Sequence, residues 1–288
     1  MNRLPPWFKQ DITQNSHPSS ISRINSLNIN TVCAQAHCPN INSCFKNSRM
    51  TFMILGKVCT RNCSFCALNK TDDYSSLSLD KDEPYRVARA VSQLGLNYVV
   101  ITSVTRDDLE DGGSAQFVSS IKALRAMNKE IKIEVLIPDF HAKLSCIKCV
   151  LDAGVDVAGH NLETISRLYA QIRPSADYAR SLKVLAYMKK YKPAVITKSS
   201  LMLGLGEAES EVIGAMQDLR DSSCDILTLG QYLAPSPEHY PVKEFIAPEQ
   251  FERYRHIGLD SGFKAVLAGP LVRSSFQAEE VYRDVVSV

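Results

Sequence analysis

No stretch of the 288 residues approaches the roughly 20 apolar residues that a membrane-spanning helix needs, which argues against a helical membrane protein. The first residues, Met1 to Trp7, have no apolar core of signal-peptide length, so the chain is expected to stay in the cytoplasm. An excess of one charge is missing too: 33 basic against 31 acidic residues leave a formal charge of +2. That balance gives no electrostatic basis for nucleic-acid binding. There is no low-complexity tract and no internal repeat shorter than one βα unit. Hydrophobic residues at 45% and charged residues at 22% argue against wholesale disorder. The length suits one full-size domain, or a domain with small appendages. Such a chain buries about 75% of its unfolded surface, so it needs neither disulfides nor metal merely to fold.

What is present in excess is cysteine, and its placement matters more than its number. Six of nine cysteines lie between Cys33 and Cys66; the others are Cys146, Cys149 and Cys224. An odd count without an export signal fits a disulfide framework poorly. A dense cluster of reduced thiols points to metal. Residues 33 to 49 hold three cysteines among Asn, Ser, Pro and Lys, a loop that a bound metal would organise.

The stretches Pro18 to Ser22 and Asn25 to Asn30 are polar and turn-prone, so the first 30 or so residues read as irregular, with Trp7 and Pro5-Pro6 as an anchor. From residue 51 short apolar runs alternate with helical spacing. Strands are expected at 51–55, 97–104, 131–137, 155–158, 194–203, 225–232 and 263–268. Helices are expected at 84–94, 115–127, 144–153, 162–172, 178–190, 209–221 and 248–262. Strands apolar on both faces, separated by helices, call for parallel pairing with crossovers. About six βα units are too few for a closed eight-unit barrel. A partial (βα)6 TIM-type barrel is the reading, with an N-terminal cysteine-rich extension and a short C-terminal one. A doubly wound flat sheet has the same pattern. The divisions expected are 1–50 for arm and cysteine loop, 51–246 for the barrel, and 247–288 for the C-terminal helix and extension.

Cys59-x3-Cys63-x2-Cys66 follows the first expected strand. Three thiolates this close can hold three corners of an iron–sulfur cube and leave the fourth iron open to a small molecule. A structural zinc would want four ligands; His37 or another cysteine offers one, and unligated core cysteines are a further reading. The motif resembles the signature of the radical S-adenosylmethionine superfamily, and Phe65 stands where that superfamily has an aromatic residue. The resemblance implies a [4Fe–4S] cluster whose open iron binds S-adenosylmethionine. An electron from the cluster then yields methionine and a 5′-deoxyadenosyl radical.

Upstream stands Cys33-x4-Cys38-x5-Cys44, which taken alone also suits a zinc site completed by His37. The two spacings together resemble the lipoyl synthase family. So do 52–56, 100–113, His160-Asn161-Leu162-Glu163-Thr164, Ile172-Arg173-Pro174, Thr197-Lys198-Ser199, Gly204-Leu205-Gly206-Glu207 and 269–276. The likeness implies a second, auxiliary [4Fe–4S] cluster on Cys33, Cys38 and Cys44, with Ser275 as its fourth ligand. The family's Arg-Ser-Ser-Tyr reads Arg273-Ser274-Ser275-Phe276 here, which loses a hydroxyl but keeps both serines. An ordinary polar turn is the plainer reading of that pair.

The implied reaction inserts sulfur at C6 and C8 of a protein-bound octanoyl-lysine, carbons that only a strong radical can activate. One S-adenosylmethionine is spent at each carbon, and the auxiliary cluster is the sacrificed sulfur donor. Implied partners are octanoylated lipoyl carrier domains, meaning the E2 subunits of 2-oxoacid dehydrogenases and the glycine cleavage H protein. A reductant such as flavodoxin or ferredoxin and an iron–sulfur carrier are implied as well. Asn161 and Glu163, after a strand, are expected to face S-adenosylmethionine and Lys198 to pair with its carboxylate; polar groups bracing a loop are the alternative. Gly204-x-Gly206 lacks the Lys-Ser/Thr of a P-loop and reads as a tight turn. Cys146-x2-Cys149 and Cys224 read as packing. The rival readings are a related sulfur-inserting enzyme such as biotin synthase, and a non-catalytic iron–sulfur or zinc carrier.

Overall fold

The computed structural model describes residues 4–8 and 28–287. The stretch Pro18 to Ser22 and the start of Asn25 to Asn30 lie outside the described residues. Among these, ten strands form: β1 (Asn30–Thr31), β2 (Thr51–Ile54), β3 (Val58–Cys59), β4 (Asn69–Lys70), β5 (Tyr98–Ser103), β6 (Lys132–Leu136), β7 (Val157–Gly159), β8 (Ile196–Leu203), β9 (Ile226–Gln231) and β10 (Ala265–Gly269). The helices are α1 (Val32–Gln35), α2 (Ile41–Lys46), α3 (Glu83–Gln93), α4 (Ser114–Met127), α5 (Leu144–Asp152), α6 (Tyr169–Ile172), α7 (Tyr178–Tyr191), α8 (Glu209–Asp221), α9 (Pro248–Asp260) and α10 (Ala278–Val286). Pro84 and Pro248 stand in the first turns of α3 and α9, where a missing N–H costs nothing. None of these helices is long and apolar enough to cross a membrane.

The main sheet runs β1-β2-β5-β6-β7-β8-β9-β10, all parallel except β1, which pairs antiparallel to β2. β3 and β4 form a separate ribbon. Curvature decides between the flat sheet and the barrel. Val281 of α10 packs with Val157, Ile196 and Ile226, and Ala278 with Tyr98 and Val100; Tyr282 touches both groups. Ala265 and Leu267 of β10 join the first group. In a flat sheet β5 and β10 would stand five strand spacings apart, about 24 Å, whereas a helix is only about 10–12 Å wide. One helix touches both because the sheet curls around it. Most of these contacts come from the first residues of strands, so α10 fills the N-terminal end of the barrel. No described residue pairs β10 with β2, and the barrel is open along that seam.

Four local expectations differ from the structure. Residues 33 to 49 are not a plain loop: Thr31 caps α1 by accepting from the Ala34 N–H, and α2 follows. The helix expected over 162–172 shrinks to a 3₁₀ turn at Ser166–Leu168 and α6. Its start is bridged to β8 instead, with Glu163 in the left-handed region at φ +68°, because the Glu163 N–H donates to the Ser200 carbonyl and the Glu163 carbonyl accepts from the Met202 N–H. Helix α10 was not anticipated, although Ala278, Val281, Tyr282 and Val285 have helical apolar spacing. At the arm, Phe8 rather than Trp7 is buried, its ring 5.7 Å from that of Phe245.

Candidate active site

Two thiol clusters lie at opposite ends of β2, separated by a strand that rises only about 13 Å. At its C-terminal end, Cys59 closes β3 and Cys63 and Cys66 follow. The loop is tied down on every side. The Thr60 N–H donates to the Thr105 carbonyl (3.0 Å), the Ser64 N–H to the Ile172 carbonyl (2.9 Å), and Lys70 Nζ to the Cys63 carbonyl (2.8 Å). His239 Nε2 donates to the Cys66 carbonyl at 3.2 Å. Arg61, within the loop and buried, is forked onto Asp107 (2.6 Å) and Asp139 (2.7 Å), and Arg180 also holds Asp139. Such a loop holds three thiols in place without metal.

Burial pushes the Cys66 thiol up to about 12, with Cys63 and Cys59 adding to it, and burial also raises Cys63. Each is close enough to feel its neighbours' charge. As free thiolates they would repel, so the triad suits a cationic metal group that takes them deprotonated. Arg173 is the nearest compensating cation and pulls the Cys63 thiol down. Its Nη1 donates to the Asn161 carbonyl (3.0 Å) and to Tyr169 Oη (3.0 Å), while its buried Nε has no partner. Asn161 Nδ2 donates to Glu163 Oε1 at 2.9 Å, and burial raises the Glu163 carboxyl. Asn161, Glu163 and Arg173 thus gather beside Cys63, an arrangement able to meet a zwitterion.

Lys198 does not join them. Its Nζ pairs with Glu134 Oε1 at 2.8 Å, and Tyr98 Oη donates to Glu134 Oε2 at 2.6 Å. Both charged side chains are about 5% exposed or less, and the pair is buried between β6 and β8. Lys198, the expected partner for the carboxylate, is therefore already engaged with Glu134, and Arg173 is the cation that stands beside Cys63. It stands at the end of α6, brought to the loop by the Ser64–Ile172 bond, which no local spacing announces.

At the N-terminal end of β2, Cys33, Cys38 and Cys44 line one cavity together with Thr51, Arg273 and Ser275. Burial raises Cys33 to about 11, with Cys38 and Cys44 adding to it, and raises Cys44 likewise. Arg273 donates to the Val272 carbonyl at 2.7 Å, forms no ion pair with a carboxylate among the described residues, and faces Cys38. A half-buried cation without a carboxylate suits an anionic occupant. His37, the alternative zinc ligand, is exposed and lies outside this lining. Among the described residues no three His, Cys, Asp or Glu side chains converge on one ion. Zinc at about 2.3 Å from each sulfur draws its thiols within about 4 Å of one another; a cube, which bonds each thiolate to a different iron, spreads them wider.

The C-terminal segment reaches this cavity through a tight crossing. A Cβ on Gly230 would overlap the Val272 carbonyl oxygen, so only glycine lets Arg273 and Ser275 pass over β9. Asn40 Nδ2 donates to the Leu271 carbonyl (2.6 Å), Arg49 pairs with Glu280, and Thr51 Oγ1 lies 2.6 Å from Ser275 Oγ. Elsewhere, Gly204 and Gly206 have φ of +92° and +104°, and the Gly204 and Leu205 amides donate to Glu207, a tight turn as expected. Cys224 and Cys146 are buried and Cys149 exposed, all free.

Comparison with known proteins gives the class first. The family model described as the Radical SAM superfamily matches residues 53–219, and the chain belongs to that superfamily. The fold agrees. The [FeFe]-hydrogenase maturase HydG superposes with a TM-score of 0.62 at 14% identity, covering 82% of this chain and 54% of that one. Methylornithine synthase gives 0.57 at 13%, covering 82% and 68%. A lipoyl synthase of Caldanaerobacter subterraneus is 48% identical over 277 residues, 96% of each chain. One of Geotalea daltonii is 48% identical over 279 residues, 97% of this chain and 94% of that one. The chain belongs to the lipoyl synthase family, and is an enzyme that uses S-adenosylmethionine and a [4Fe–4S] cluster.

Proposed function

We propose that this enzyme inserts two sulfur atoms, at C6 and C8 of an octanoyl chain amide-linked to a lysine of a lipoyl carrier domain, giving N6-lipoyl-lysine. The second cavity is the observation that carries this reading. Binding S-adenosylmethionine at an open iron takes one thiolate triad, and Cys59, Cys63 and Cys66 supply it. Cys33, Cys38 and Cys44 with Ser275 are a further set around one cavity, and sulfur insertion needs a sulfur source. The chain would therefore hold two [4Fe–4S] clusters, one on each set. When bound, the first group supplies the electron that cleaves S-adenosylmethionine and the second supplies the sulfur.

The protein's own groups have separable tasks. Arg173 would receive the cofactor carboxylate on its unpartnered Nε–H, and Glu163, oriented by Asn161, would accept from the cofactor amine. Tyr98, Glu134 and Lys198 satisfy one another and brace the barrel. Gly159, Ser200, Thr228 and Gly230 alternate onto the same inner face as Val157, Ile196 and Ile226. Such small side chains leave room for an extended apolar chain between the two thiol sets. Residues 1–50 would serve as arm and auxiliary loop, 51–246 as the barrel, and 247–288 as the C-terminal helix and extension. The partners would be octanoylated E2 and H-protein domains, a flavodoxin- or ferredoxin-type reductant and an iron–sulfur carrier, all in the cytoplasm.

Anaerobic reconstitution with iron and sulfide tests the reading. About eight irons per chain are expected, with S-adenosylmethionine cleavage on reduction and lipoyl product on an octanoylated carrier domain. Colourless protein stoichiometric in zinc and devoid of iron overturns it. Cofactor cleavage with about four irons per chain and no thiolated product removes the second cluster.

A further inference from the structure

Thr51 stands at the first position of β2 and is 5% exposed. Its two polar groups point the same way. The hydroxyl lies 2.6 Å from Ser275 Oγ, and the backbone N–H faces the Cys33 thiol. One residue thus touches the Ser275 side chain and lines the same cavity as Cys33. These two come from opposite ends of the sequence, 33 and 275, and Thr51 is where they meet. It is also held rigidly, paired with Val100 in parallel register while Thr31 pairs with its neighbour Phe52 on the other edge.

We propose that Thr51 is the positioning residue of the second cluster, its hydroxyl donating to the Ser275 oxygen at the rim of the cavity that Cys33 also lines. This rests on the reading of Ser275 as a ligand. A serine oxygen bonded to iron has no hydrogen to give, so the 2.6 Å contact then runs from Thr51 to Ser275. Ser275 sits in the segment from Pro270 to Gln277, which has no helix or strand of its own to fix its side chain. A hydrogen bond from a rigid strand supplies what the segment lacks. Groups that orient a metal ligand are typically worth about 10–100-fold in metal affinity. The arrangement also places the weakest ligand, the serine, under the control of the strand that leads to the Cys59 loop.

The test is made in the full chain carrying Cys59→Ala, Cys63→Ala and Cys66→Ala, so that all iron belongs to the second site. Reconstituted samples are compared by iron and sulfide content, Mössbauer spectrum and the rate at which EDTA removes iron. Thr51→Val should lose iron about tenfold faster than this background, with Thr51→Ala behaving alike and Thr51→Ser restoring the background rate. Melting curves confirm that each variant is folded. Ser275→Ala is the reference and should alter the spectrum. If Ser275→Ala leaves the spectrum unchanged, both the serine ligand and the role of Thr51 fall. If Ser275→Ala alters it while Thr51→Val and Thr51→Ala lose iron at the background rate, the role of Thr51 falls alone.

Discussion

The pair formed by Lys198 and Glu134 separates a structural role from a cofactor-binding one. Replacing Lys198 by Met keeps the length and apolar stem but removes the charge. Glu134 then remains buried with only the Tyr98 hydroxyl at 2.6 Å. Breaking a buried pair in this way costs about 3–5 kcal/mol, because one charge is left uncompensated. At about 2–4 °C per kcal/mol for chains of a couple of hundred residues, the melting temperature should fall by roughly 6–20 °C. Circular dichroism of the metal-free protein under reducing conditions measures it. Adding Glu134→Gln to Lys198→Met removes the stranded charge and should recover most of the loss. Equilibrium dialysis of S-adenosylmethionine against the reconstituted enzyme gives the second reading. Lys198→Met should bind the cofactor as the parent does, whereas Arg173→Met should not. A Lys198→Met protein that melts with the parent yet fails to bind S-adenosylmethionine would refute the reasoning.

Other outcomes follow from single contacts. Cys63→Ala should abolish S-adenosylmethionine cleavage, since one of three thiolates is lost, while Cys38→Ala should keep cleavage and yield no thiolated product; product analysis by mass spectrometry checks both. Buried His160 has its pKa pushed down to about 4 by burial and then by Arg173. The folded state holds it neutral while the unfolded chain takes up a proton below about 6.5, so stability is present at neutral pH and is lost as pH falls from about 6.5 toward 4. The full effect is about 3 kcal/mol; urea unfolding across that window should show a slope that His160→Gln flattens, and an unchanged slope contradicts it. Gly230→Ala places a methyl against the Val272 carbonyl, so reconstitution should stop near four irons per chain with cofactor cleavage intact.

Much of the fold was legible because its period is regular. The seven parallel strands and the barrel helices came from apolar runs and 3.6-residue spacing, and α8 begins and ends where the pattern does. Whether the sheet is flat or curled was not legible. Both architectures use the same strands, and only the contact of one helix with β5 and β10 decides. Both cysteine sets could be read, since ligand spacing within a loop is a local property. Arg173 and the true partner of Lys198 could not. The first reaches Cys63 through a bond between Ser64 and Ile172, and the second lies 64 residues from Glu134 in sequence. Glu163 could be singled out from the sequence, but its left-handed backbone at φ +68° and its strand contacts were hidden inside what looked like a helix.

The contacts of Asn40 with Leu271, Arg49 with Glu280 and Thr51 with Ser275 each join residues more than 220 positions apart. Loop closure over such lengths brings no reward until the intervening strands have assembled. The second cavity therefore arises late in folding, whereas Cys59, Cys63 and Cys66 sit in a span of eight residues. The second socket opens when the two ends of the chain meet, so the supply of the second inorganic group is coupled to the completion of the polypeptide's shape.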